Sequence, residues 1–238
     1  MREAAPVVLG VDVARFGNDQ SVIFPRQGRD ARSRPIEVYQ GLDTMQLAQK
    51  VFLAWQRYSA SMVMVDGTGV GAGVVDRLRQ LRVPVIEVIF GSKPDSTDTY
   101  ETGVKYGRKK DEIFGSLRSW LKTGIIPDKL PARKKSLPQE LSSIFYTLNR
   151  KNAIMLEPKA VYKKREDDSC DAADALACTF AVPWLMDYSK IDHSIVESEV
   201  RAHEYNPYEE SRIHPGVYNK EWEDRQLLRL RFNQQRLQ

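Results

Sequence analysis

Cysteine is scarce in this chain of 238 residues. Cys170 and Cys178 show neither CxxC spacing nor a neighbouring histidine, which argues against a disulfide scaffold or a zinc site and suits a reducing compartment. Histidine is almost as rare, with His193, His203 and His214 confined to the last quarter. No apolar run approaches the roughly 18 residues of a membrane span. The opening MREAAPVVLGVDVA lacks the apolar stretch of a signal peptide and enters a strand directly. Nucleotide-binding fingerprints are missing too. The glycines of GTGVGAG fall at 67, 69, 71 and 73, which is not GxGxxG, and no Lys-Ser/Thr follows as a P-loop requires. Those glycines are read instead as letting the backbone leave a site closely.

What is present is an ordinary globular composition, with 42% hydrophobic and 9% aromatic residues. The length permits one large domain, or one domain with an appendage. Charge is uneven along the chain. Residues 1–186 hold 28 basic and 22 acidic side chains, residues 187–224 hold 4 and 10, and residues 225–238 hold four arginines and no acid. This suggests a basic domain over 1–186, followed by an acidic connector and a basic, helical tail over 187–238. Within the domain the bases cluster as Arg26/Arg29/Arg32/Arg34 at a hairpin tip, Lys105/Arg108/Lys109/Lys110, Arg133/Lys134/Lys135 and Lys163/Lys164/Arg165. Either solvated loops or a polyanion track accounts for them.

Apolar runs predict strands at 6–14, 21–24, 35–40, 61–66 and 84–90. Helical spacing follows Thr44, which is positioned to cap it, and recurs after the glycine stretch, over 111–122 and from Ser169 to Pro183. Residues 142–158 read as a hairpin turning at 150–152. The order βββ-α-β-α-β, then helix, hairpin and helix, is an α/β fold with a mixed sheet flanked by helices and an added hairpin.

Acids stand where core elements end. Asp12 lies inside the first apolar strand, where burying a charge is costly unless it is paired or holds a cation. Asp66 ends another strand, and Asp171 and Asp174 share one helix face. Each alone is also explained as a cap or a helix-start acid. Converging, they form an all-oxygen site suited to Mg²⁺ or Mn²⁺. Beside basic patches, such a site fits two-metal phosphodiester hydrolysis.

The blocks GVDVARFGNDQSVI, VMVDGTGVGAGVVDRL, YGRKKDEIFGSLRSWLKTGII, LPQELSSIFYTLNRKNAIMLEPK and KKREDDSCDAADALACTF, in this order over residues 7–183, resemble the nuclease domain of the large terminase subunit of tailed bacteriophages. The resemblance implies an RNase H-like fold and metal-dependent cutting of concatemeric double-stranded DNA in the cytoplasm of the infected host. It implies the portal protein, the small terminase subunit and a packaging ATPase domain as partners. No P-loop ATPase core occurs in this chain. Asp12 and Asp66 match the first two metal-binding acids, and Asp171 and Asp174 the two candidates for the last. Ser169-Cys170-Asp171 stands where the family often has Ser-Pro-Asp. Other readings are a junction resolvase or ribonuclease H-type nuclease, an actin-like ATPase or sugar kinase, and a non-catalytic DNA-binding motor module.

Overall fold

The computed structural model describes residues 5–14, 19–95, 104–131 and 135–182. The expected connector and basic tail, and Arg133 and Lys134, lie outside the described residues.

The first apolar run becomes β1 (Val7–Asp12), buried at every position. It is the central strand of a five-stranded sheet with β2 (Gln20–Gln27), β3 (Glu37–Gln40), β4 (Met62–Asp66) and β5 (Val85–Val88), ordered β3-β2-β1-β4-β5. The β1–β2 and β2–β3 pairs are antiparallel; β1–β4 and β4–β5 are parallel. Because Val11 pairs with Val65 in parallel register, Asp12 and Asp66 leave the sheet at the same edge.

Alternation along the strands divides the core. Leu9, Val11, Ile23, Val63 and Val65 pack with Leu47 and Val51 of α1 (Thr44–Arg57) and Val74, Val75 and Leu78 of α2 (Gly71–Gln80). On the opposite face, α6 (Asp171–Cys178) packs over β1 and β2 and against α3 (Lys109–Leu121). Gly10 permits that close approach, since a Cβ there would stand 1.9 Å from the Ala175 carbonyl oxygen.

A smaller sheet, ordered β6-β8-β7, contains β6 (Lys105–Tyr106) and the expected hairpin β7 (Tyr146–Leu148) and β8 (Ala153–Leu156). Its turn uses Asn152 at φ +56°, with the Asn149 side chain accepting from the N–H groups of Lys151 and Ala153.

Several sequence expectations need correction. The cap of α1 is Asp43, not Thr44, in a reciprocal capping box with Gln46. Helix α3 starts at Lys109, which places Asp111 and Glu112 in its first turn. The hairpin begins later than expected because α4 (Leu137–Ser142) precedes it, capped by Ser136 and Gln139. Another helix, α5 (Lys159–Glu166), follows it after Pro158.

Candidate active site

The three elements expected to converge do so. Asp12 ends β1 almost wholly buried, and Asp171 and Asp174 occupy the first turn of α6, also buried. Gly10 and Asp12 share one face of β1. The glycine that admits α6 is therefore two residues from the acid that meets the N-terminal end of α6. Asp66 ends β4 and accepts from the Thr68 N–H at 3.0 Å. The chain then turns through Gly69 at φ +66° and enters α2 at Gly71, where a Cβ would lie 1.8 Å from the Asp66 carbonyl oxygen. The expectation that these glycines let the backbone turn away closely is met there.

At the point of convergence stands an ammonium group. Lys159 Nζ, from the first residue of α5, is 3.0 Å from Asp12 Oδ2, 3.1 Å from Asp171 Oδ1 and 3.3 Å from Asp174 Oδ2. A second cation, Lys110 Nζ, is 2.7 Å from Asp174 Oδ1 and lies beside the Phe90 and Phe114 rings. Asp171 also accepts from the Ser169 hydroxyl and from the Gln20 N–H.

The electrostatics follow from packing several anions in little water. Burial pushes the Asp12 carboxyl well above the usual carboxylate range. Lys159 opposes this, while repulsion from Asp171, Asp174 and Asp66 adds to it. Burial also raises Asp66, against its hydrogen bonds from Thr68. For Lys159 burial acts downward, but attraction to Asp12, Asp174 and Asp171 outweighs it and holds the ammonium well above the usual lysine value. Lys110 is raised in the same way, with Asp174 overcoming burial. The arrangement is a cation trap: acids that repel one another unless positive charge stands between them.

Among the described residues, no three acidic, histidine or cysteine side chains are set in coordination geometry for a metal ion. The donor set nevertheless fits a hard divalent cation. It is made of carboxylate oxygens, and three of the acids already hold one cation, the lysine ammonium, among them.

No family model matches the sequence. No curated protein matches it either. Solved structures do. The nuclease domain of the large terminase subunit gp2 of bacterial virus Sf6 superposes with a TM-score of 0.60 at 20% identity, over 75% of this chain and 89% of that one. A mutant of that domain solved with calcium gives 0.59 at 20% identity, over 76% and 91%. The large terminase nuclease of thermophilic phage G20c, with bound magnesium, gives 0.50 at 14% identity, over 76% and 82%. The chain has the RNase H-like fold of the large terminase nucleases.

Within that terminase-nuclease fold the basic residues separate sharply. Arg26 is not at a hairpin tip. Strand β2 continues through Pro25 to Gln27, and Arg26 points inward at 2% exposure. Its guanidinium donates to Thr179 Oγ1 and to the carbonyls of Thr179 and Gly28, and it stacks on Phe180. Lys109 is likewise buried, paired with Asp95 and Glu112. Arg108 is half-buried and binds Asp111 and the Leu156 carbonyl. All three tie elements together within the protein, and burial removes Arg26 and Lys109 from the expected DNA track. Arg29, Arg32, Lys105, Lys163 and Lys164 are exposed, and Arg34 is half-buried. Lys163, one turn along α5 from Lys159, pairs with Asp19.

The residue that sequence reasoning missed is Lys159. Its signal was faint: Pro158, followed by KAVYKKRE, reads as a helix start, but nothing local aims that lysine at an acid 147 positions earlier.

Proposed function

We propose that this chain is a divalent-metal-dependent endonuclease that cuts concatemeric double-stranded phage DNA during genome packaging. The observation that carries the reading is the meeting of Asp12, Asp171 and Asp174 within 3.3 Å of a single ammonium. With Asp66 at the same sheet edge, these acids would hold Mg²⁺ or Mn²⁺, and four carboxylates offer enough oxygens for a two-ion site. An Sf6 terminase nuclease structure that contains manganese and the G20c structure with bound magnesium support that choice. A divalent ion bound there would supply Lewis acidity toward a phosphodiester and would lower the pKa of a bound water.

The chain's own groups provide the rest. Asp12 and Asp66 are fixed to a rigid sheet and Asp171 and Asp174 to a buried helix turn, so the acids are preorganised. Lys159 balances their charge and, with its side chain 37% exposed, is able to swing out as a second cation arrives. Lys163 and Lys164 extend positive charge along α5 from the acids, where a phosphate backbone would pass.

Asp12→Asn tests the reading. It removes one anionic ligand while keeping volume, so plasmid nicking in Mg²⁺ or Mn²⁺ should be abolished. The thermal transition should be unchanged or raised, because a repelled buried charge is lost. Wild-type nicking by this variant, or full wild-type activity in excess chelator, overturns the assignment.

A further inference from the structure

Helix α6 carries two of the acids, yet its N-cap residue offers it no side-chain cap. Cys170, at the N-cap position, makes no side-chain capping bond, and a thiol is at best a weak acceptor. The nearby hydroxyl of Ser169 is directed at Asp171. The first intrahelical bond runs from the Asp174 N–H to the Cys170 carbonyl at 2.9 Å, leaving the earlier N–H groups in need of acceptors from elsewhere.

Glu140 supplies one. It lies on α4, 33 positions away, fully buried, and its Oε2 accepts from the Ala173 N–H at 3.0 Å. Ala173 sits between Asp171 and Asp174, so this bond holds the peptide that joins the turn bearing both carboxylates. The same short helix reaches α5. Ser143, which follows α4, donates to the Glu140 carbonyl at 3.1 Å and shares a 2.9 Å hydrogen bond with the Tyr162 hydroxyl, one turn beyond Lys159. Helix α4 therefore bridges the element that carries the acids and the element that carries the lysine.

A carboxylate buried completely is costly unless its hydrogen bonds compensate for lost water. Here it adds a further carboxyl group to a region already crowded with acidic side chains. A cap made by a local serine or aspartate would be simpler, but the local serine is engaged with a site acid.

We propose that Glu140 is a positioning residue for the candidate metal site: by accepting from the Ala173 N–H, it sets the first turn of α6 so that Asp171 and Asp174 face Asp12. This rests on the metal-site reading above. It assigns Glu140 neither contact with substrate nor coordination of the ion, only the orientation of groups that do coordinate.

The test is Mn²⁺ titration calorimetry on wild type, Glu140→Gln, Glu140→Asp and Glu140→Leu, with a thermal melt of each. Glutamine keeps an acceptor at the same reach without the charge. Aspartate keeps the charge but falls one methylene short, and leucine keeps only bulk. Glu140→Gln should bind Mn²⁺ within about threefold of wild type, whereas Glu140→Asp and Glu140→Leu should bind about tenfold more weakly while retaining a cooperative melt, the scale of losing a supporting partner of a metal ligand. If the leucine variant does not fold, the aspartate variant carries the same expectation. Wild-type Mn²⁺ affinity in a folded Asp or Leu variant overturns the proposal. So does a folded Gln variant as weak as the leucine one, which would make charge the agent and not the hydrogen bond. Failure of wild type itself to bind Mn²⁺ would instead remove the metal reading, and the proposal with it.

Discussion

Replacing Lys159 by alanine should separate the two jobs of this side chain, charge balance in the resting protein and competition with an incoming ion. The ammonium lies 3.0, 3.1 and 3.3 Å from three carboxylates. Removing one partner of a fully buried ion pair costs about 3–5 kcal/mol, because the other charge is stranded, whereas exposed pairs contribute about 0–1 kcal/mol. The acids are buried, but the lysine side chain is 37% exposed, so solvent screens part of the interaction. A loss of about 2 kcal/mol in the absence of metal follows from that placement between the two limits. In a chain of this size it corresponds to a fall in Tm of about 4–8 °C. With millimolar Mn²⁺ the gap should shrink or reverse, since the ion binds the native state and fills the space between the acids. Differential scanning calorimetry of wild type and Lys159→Ala, each in chelator and in Mn²⁺, reads both effects. A variant as stable as wild type in chelator, or a deficit unchanged by Mn²⁺, would refute the idea that lysine and metal serve the same acids.

Three further outcomes are expected. Gly10→Ala forces a Cβ against the Ala175 carbonyl and must push α6 off the sheet, costing about 1–3 kcal/mol in urea unfolding and weakening Mn²⁺ binding; unchanged stability would show that the helix does not sit flush on β1. Mn²⁺ affinity should rise with pH and its binding should release protons, measurable as a buffer-dependent heat. The sign follows from Asp12, whose raised pKa means that burial and repulsion favour its protonated form, which an ion must displace; pH-independent affinity would contradict this. Replacing the exposed pair Arg29 and Arg32 by alanine should flatten the salt dependence of duplex binding in Ca²⁺ by up to about 0.9 units of log–log slope for each phosphate no longer neutralised, and parallel slopes would move the DNA track to α5.

The parts of this fold legible in the sequence were those written in local pattern. Continuous apolar runs marked β1 and β4, and an acid at the end of each was conspicuous because charge is rare in such runs. Their convergence followed from two parallel neighbours ending at one edge. The three-residue spacing of Asp171 and Asp174 is enough by itself to put them on one helix face. What escaped depended on long-range packing. Arg26 looked like one of four surface arginines, and only Thr179 and Phe180, more than 150 positions later, make it a core residue. Lys159 resembled its exposed neighbours Lys163 and Lys164, although it begins a helix aimed at the acids. Glu140 sits in a six-residue helix, capped by Ser136 and Gln139, that the sequence reading passed over, and its destination at α6 depends on packing between distant segments.

The central claim, that Asp12, Asp66, Asp171 and Asp174 form a divalent-metal site, is most directly tested by anomalous diffraction from crystals soaked in Mn²⁺. Strong anomalous density is expected between the ends of β1 and β4 and the first turn of α6, with Lys159 Nζ displaced from its position among the three carboxylates. Fully soaked crystals with no manganese there, and Lys159 still bridging the acids, would contradict it.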